Sequence, residues 1–158
     1  MPSTCYNDGM EAIRELRPND KTELLDIMTE FYASPALIHH TPRNTLGKVV
    51  DDCLGGSPYV RCFVCESDGR IVGYTVAALG YSTEYGGMSV MIEDLCVVAD
   101  MRGRGIGEKL LRFVETRYRE KAVRLRLEVE PNNARAISLY RKLGFGEVGY
   151  LQMSKEFI

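Results

Sequence analysis

Three groups of residues have the types and spacing that chemistry requires. The first is Arg102-Gly103-Arg104-Gly105-Ile106-Gly107, entered from the apolar run Leu95-Cys96-Val97-Val98 and followed by a helical pattern from Glu108 to Lys121. Glycines at 103, 105 and 107 let the backbone approach a ligand without Cβ interference, so the first amides of the helix converge on one anion. The segment reads as a pyrophosphate cradle, with the helix dipole adding partial positive charge. The second group is the carboxylate pair Glu93-Asp94 in Met91-Ile92-Glu93-Asp94-Leu95, and the third is the run from Asn133 to Phe145, which carries Tyr140.

Spacing sets the cradle apart from two other phosphate loops. No G-x-x-x-x-G-K-[ST] string occurs, and in place of G-x-G-x-x-G the third glycine comes one residue early. What remains is R-x-x-G-x-G after a strand, on Arg102, Gly105 and Gly107. Asn133 through Phe145 fits N-x-x-A-x-x-L-Y-x-K-x-G-F without departure. Asn133 is a good helix cap, Ala136, Leu139 and Tyr140 share a helical face, and Gly144 stops the helix.

Together the two motifs resemble the GNAT superfamily of N-acetyltransferases, nearest in pattern to its polyamine and thialysine branch of small-amine acetyltransferases. The resemblance implies acetyl-CoA as cofactor, held by Leu95, Cys96, Val97, the loop residues Arg102, Gly103, Arg104, Gly105, Ile106 and Gly107, and Asn133. It implies an α/β fold, a mixed sheet with helices on both faces in the order β-α-α-β-β-β-α-β-α-β-β, over a single domain at 11–158. It also implies acetyl transfer to an amine by direct attack in a ternary complex, with Tyr140 beside the coenzyme sulfur as acid. In the small-amine branch the Glu of a Glu-Asp pair acts on the amine, often through water.

The residues themselves fit those roles. A free alkylamine has a pKa near that of Lys, about 10.4, so it arrives protonated and needs a base. Strand alternation sends Glu93, Leu95 and Val97 to one face and Asp94 and Cys96 to the other, and the resemblance to the small-amine branch implies that Glu93 is the base. A carboxylate that only binds a cation or pairs with Arg, and a Tyr140 that is only a core aromatic, stay open. Extended backbone around Leu95 to Val97 is the expected oxyanion donor and pantetheine partner. Nothing near Cys96 marks an activating base, so an acyl-cysteine route is not expected. The acceptor region, Glu30, the His39-His40 loop, Tyr81 to Tyr85 with Glu84, and Asp94, is acidic and aromatic, which suits a cationic amine. It does not separate a polyamine, an amino-acid side chain, an aminoglycoside or a protein N-terminus. A non-catalytic acyl-CoA-binding module and a protein N-acetyltransferase are the alternative readings.

Charge divides along the chain. Residues 1–100 hold seven Lys/Arg against fifteen Asp/Glu, and residues 101–158 hold thirteen against seven. An anionic cofactor favours the second part and a cationic acceptor the first. The net charge of −2 excludes nucleic-acid binding by bulk charge. Five cysteines in irregular spacing give no disulfide framework, and the C-x-x-C at Cys62 and Cys65 lies in a strand that turns its thiols to opposite faces, so no metal is expected. No apolar run of 18 residues and no secretory leader is evident, so a cytoplasmic enzyme without a membrane partner is expected, and a homodimer stays open.

These residues need elements to position them. Residues 1–10 read as a loose leader, with Met10 an alternative start. A strand is expected over 11–17, then a helix led in by Pro18-Asn19-Asp20 with Leu24, Leu25, Ile27, Met28, Phe31 and Tyr32 as its apolar set, and a weaker helix over 45–54. A hairpin follows, 59–66 and 71–81 around Asp68-Gly69, then a long strand over 88–98. A helix with a stripe from Ile106 to Tyr118, a strand burying Val123, Leu125, Leu127 and Val129, the motif helix, and one or two closing strands over 146–157 complete the chain.

Overall fold

The computed structural model of the chain describes residues 6–7, 11–34 and 40–157, and the chain divides into two units, 1–128 and 129–158. The first holds a sheet whose strands lie in chain order: β1 (Tyr6–Asn7), β2 (Glu11–Glu15), β3 (Val60–Ser67), β4 (Arg70–Ser82), β5 (Gly87–Val97) and β6 (Ala122–Leu127). Neighbours are antiparallel except β5 and β6. That parallel pair needs a long crossover, which contains α3 (Ile106–Tyr118). Helices α1 (Lys21–Tyr32) and α2 (Arg43–Leu54) occupy the connection from β2 to β3.

Local sequence explains these elements. Pro18 to Asp20 forms a 3-10 turn that leads into α1, and Gly55 follows the last residue of α2. Asp68 and Gly69 both take positive φ, 49° and 76°, the pattern of the tight type I′ hairpin that joins β3 to β4. Leu24 and Met28 on α1, and Leu46 and Val50 on α2, recur one turn apart and are buried against Cys62, Val64, Tyr74, Val76 and Cys96. Phe63 points the other way and meets Phe113 of α3 edge-on, with ring centroids 5.2 Å apart. Helices therefore cover both faces of the sheet, α1 and α2 on one and α3 on the other.

Buried Arg14 on β2 fixes the start of the layer. It donates to both oxygens of Asp20 at 2.7 and 2.9 Å and to Glu66 at 2.7 and 3.0 Å. Burial alone would push the Asp20 carboxyl up, but hydrogen bonds from Arg14 and from the Arg17 amide outweigh it and hold the group below its ordinary value.

Three expectations differ from what is observed. Two residues of the supposed leader, Tyr6 and Asn7, pair with Ile13 and Ala12. β6 buries neither face: Val123 is exposed and Leu125 and Leu127 are half-buried, because within its unit the strand has a partner on one side only. In the second unit, α4 (Ala134–Lys142) is followed by no strand through residue 157. Gly146, Gly149 and the adjacent apolar pair Tyr150-Leu151 break the alternation a strand needs, and Tyr150, Leu151, Met153 and Phe157 are exposed.

Candidate active site

β5 ends at Val97, and a short 3-10 turn (Ala99–Met101) brings the chain to the glycine-rich loop. Gly103 and Gly105 adopt φ of 82° and 81°, a left-handed geometry that costs other L-residues about 1–2 kcal/mol. Gly105 is the N-cap of α3, and no side chain caps that helix. The amides that open the helix, at Ile106 and Gly107, therefore keep their donors for an anion. Arg102 and Arg104 are exposed beside them. Nε of Arg102 donates to the Val97 carbonyl at 2.9 Å, tying the loop to the strand end. Gly107 lies within the helix without positive φ. This donor set fits a diphosphate.

The strand leading into the cradle is irregular where the chemistry is expected. β4 and β5 pair regularly from Gly73–Val97 to Val76–Asp94, but Ala77 then pairs Ile92, so Glu93 is the extra residue of a β-bulge. The β5–β6 ladder ends at Ile92–Leu127. From Asp94 to Val97, then, β5 pairs with β4 but not with β6. The Val98 amide donates to Val72 at 3.0 Å, and alternation from there turns the Leu95 and Val97 amides to the edge away from β4. Those amides are placed to pair with an extended amide-bearing ligand.

Glu93 and Asp94 have different surroundings, as alternation requires. Glu93 is exposed, and partial withdrawal from water, then the charges of Asp94 and Glu128, push its carboxyl up. Asp94 is 5 % exposed; its Oδ1 accepts from Tyr32 at 2.6 Å, its Oδ2 from Tyr74 at 3.4 Å, and its backbone carbonyl from the Thr75 hydroxyl at 2.8 Å. Burial pushes the Cys96 thiol up to about 12, which leaves almost no thiolate for nucleophilic attack near neutral pH.

The remaining acceptor candidates are scattered. Glu30 is exposed on α1, near enough to Cys96 for its charge to be felt there, and Tyr81 is exposed at the end of β4. Glu84 and Tyr85 are both engaged by Arg124 of β6, through an ion pair at 2.8 Å and a cation–π contact at 5.2 Å. His39 lies outside the described residues, and His40 is exposed. The bulge at Glu93 and the hydroxyl of Tyr32 escaped the sequence reading. Tyr32 counts as apolar in a helical stripe, and its one signal is a polar tip that seeks a partner when buried.

In the second unit, Asn133 caps α4 by accepting the Ala136 amide at 3.1 Å. At the other end Gly144, with φ of 88°, donates to Arg141 at 3.0 Å, and the Phe145 amide reaches back to Tyr140 at 3.0 Å. This is a Schellman motif, and its usual apolar contact is the edge-on pair of Tyr140 and Phe145, with centroids 6.0 Å apart. Burial pushes the Tyr140 hydroxyl up, so near neutral pH it is a proton donor.

Comparison with known proteins follows the same lines. Residues 21–145 match the acetyltransferase (GNAT) family. Thialysine N-epsilon-acetyltransferase of Mus musculus is 31% identical over 146 residues, covering 84% of this chain and 82% of that protein. The crystal structure of a possible acetyltransferase from Clostridium difficile 630 superposes with a TM-score of 0.82 at 22% identity, over 94% of this chain and 99% of the other. AAC(6')-Iy, solved with the bisubstrate analog CoA-S-monomethyl-acetylneamine, gives a TM-score of 0.75 at 16% identity, over 94% and 99%. No helix among the described residues is long and apolar enough to cross a membrane.

Proposed function

The chain belongs to the GNAT family of acetyltransferases, an N-acetyltransferase that uses acetyl-CoA, and from that premise we propose that its acceptor is a small cationic primary amine acetylated by direct attack in a ternary complex. The observation that carries this reading is the Glu93–Asp94 pair on a bulge of β5, where among the described residues neither carboxylate pairs with a cation. The name of the mouse relative, which specifies a small amino-acid amine, supports the same class.

Acetyl-CoA supplies the acetyl group as an activated thioester. The amides opening α3, with Arg102 and Arg104, hold its diphosphate, and the Leu95 and Val97 edge aligns its amide-bearing arm. Glu93, the more exposed of the two and pushed up by partial burial and by the charges of Asp94 and Glu128, removes the ammonium proton from the acceptor. Asp94 fixes negative charge behind it, and Glu30 on α1, near enough to Cys96 for its charge to be felt there, adds to the acidic character of the acceptor side. The Tyr140 hydroxyl delivers a proton to the departing sulfur.

A thiol-release assay tests the acceptor class. Acetyl-CoA is incubated with polyamines, thialysine, aminoglycosides and N-terminal peptides; small cationic amines are expected to be turned over well above the peptides. Tight acetyl-CoA binding with no thiol released by any acceptor overturns the reading in favour of a binding module.

A further inference from the structure

The nearest hydrogen-bonding partners of the Asp94 carboxylate are both phenols: Tyr32, the last residue of α1, and Tyr74 of β4. No Lys or Arg pairs with Asp94 among the described residues. The other titratable groups around it are Cys53 on α2, Cys62 on β3, and Cys96 and Glu93 on β5, with Arg102 and Glu30 beyond Cys96 and Arg61 and Asp52 beyond Cys53. The thiols are neutral and neither arginine bonds to Asp94, so the direct support for its charged form comes from the two phenol donors. Tyr32 supplies the short one, at 2.6 Å, from a residue 62 positions away in the chain.

Asp94 is also the immediate neighbour of the bulged residue. Glu93 takes the other face, where it also feels the charge of Glu128, the residue after the last β5–β6 pair, Ile92–Leu127. A fixed negative charge one residue away makes a carboxylate hold its proton more tightly.

We propose that Tyr32 is a positioning residue of this site: its hydrogen bond keeps a negative charge on Asp94 behind the bulge, and that charge strengthens the hold of the neighbouring Glu93 on a proton. The proposal rests on the acetyl-transfer reading for its role, but its physical content is a linkage between three side chains. Burial pushes Asp94 up and the Tyr32 and Tyr74 hydroxyls pull it back, while Tyr32 itself is pushed far above its ordinary value and stays a donor. Removing the Tyr32 hydroxyl therefore favours neutral Asp94, and Glu93 then keeps the effect of partial burial but loses the Asp94 charge that adds to it.

The test is a carbon-13 carboxyl titration of Glu93 in the full chain, for wild type, Tyr32→Phe, Asp94→Asn and the double variant, beside kcat/KM against pH for the best acceptor. The Glu93 midpoint and the acid limb of kcat/KM are expected to move to lower pH in each single variant. The double variant should move them no further than Asp94→Asn alone, since both changes remove one charge. A Tyr32→Phe protein that loses activity or stability with the midpoint in place has lost only packing, and the proposal falls. It falls equally if the two shifts add, or if Asp94→Asn leaves Glu93 unmoved, a result readable even when Tyr32→Phe does not fold. The titration needs no turnover, so the absence of any acetylated amine would overturn the acceptor reading alone.

Discussion

Gly73 of β4 makes room for Ile106, the first residue of α3: a Cβ on Gly73 would stand 3.2 Å from the Ile106 Cγ2, 3.3 Å from Leu110 and 2.9 Å from the Cys96 carbonyl. The height of the cradle helix above the sheet is set by this missing methyl group. Gly73→Ala has to displace a backbone carbonyl or the helix, and overpacking of this kind costs about 1–3 kcal/mol. Thermal melting is expected to fall accordingly, and acetyl-CoA affinity with it, because the helix that opens the cradle shifts.

Gly105 caps α3 in the left-handed region at φ of 81°. Gly105→Val places a β-branched residue where about 1–2 kcal/mol or more of strain arises, and puts a side chain at the edge of the anion site. Calorimetry should record at least a tenfold loss of acetyl-CoA affinity. Unchanged affinity would mean that the diphosphate binds elsewhere.

Tyr140→Phe keeps the ring that packs on Phe145 and removes only the hydroxyl. If that hydroxyl is the acid, kcat falls on the order of 10²-fold with little change in acetyl-CoA affinity. Wild-type turnover in this variant would return Tyr140 to a purely structural role at the end of α4.

Glu93→Gln preserves shape and removes the base. kcat/KM is expected to drop most at low pH, where neutral amine is scarce, and the drop should shrink for acceptors of lower amine pKa. A rise in KM for cationic acceptors with kcat unchanged would make Glu93 an electrostatic binding group instead.

Two buried carboxylates should respond to pH with opposite signs. Asp20 is held below its ordinary value by Arg14 and the Arg17 amide against the effect of burial, so its contribution is present above the unfolded pKa, about 3.9, and is lost as pH falls through the folded value. Asp94 is held above it by burial, so its ionisation costs stability as pH rises from that same point through its folded value. Denaturant melts against pH are expected to show Asp20→Asn most destabilised near neutral pH and converging on wild type in acid. Asp94→Asn should gain on wild type as pH rises.

The parts legible in the sequence are those fixed by local chain physics. Asn133, Gly144 and Phe145 specify their helix ends through bonds that span at most five residues, and Asp68-Gly69 specifies its hairpin. The uncapped glycine start of α3 is of the same kind, which is why the cradle could be read from Arg102 to Gly107. Alternation along 93–97 likewise separated Glu93 from Asp94.

Tertiary structure decided whatever depends on two strands or on distant partners. The bulge at Glu93 exists only because β4 and β5 are out of step between Val76 and Ala77, and neither strand encodes the mismatch alone. Arg124 takes up Glu84 from 40 positions away, with Tyr85 beside it, and Tyr32 finds Asp94 from 62. Periodicity reports which face a side chain takes, whereas the partner it meets there is set by how separate elements pack, and a tyrosine in an apolar stripe looks the same in sequence whether its hydroxyl is idle or holds a charge.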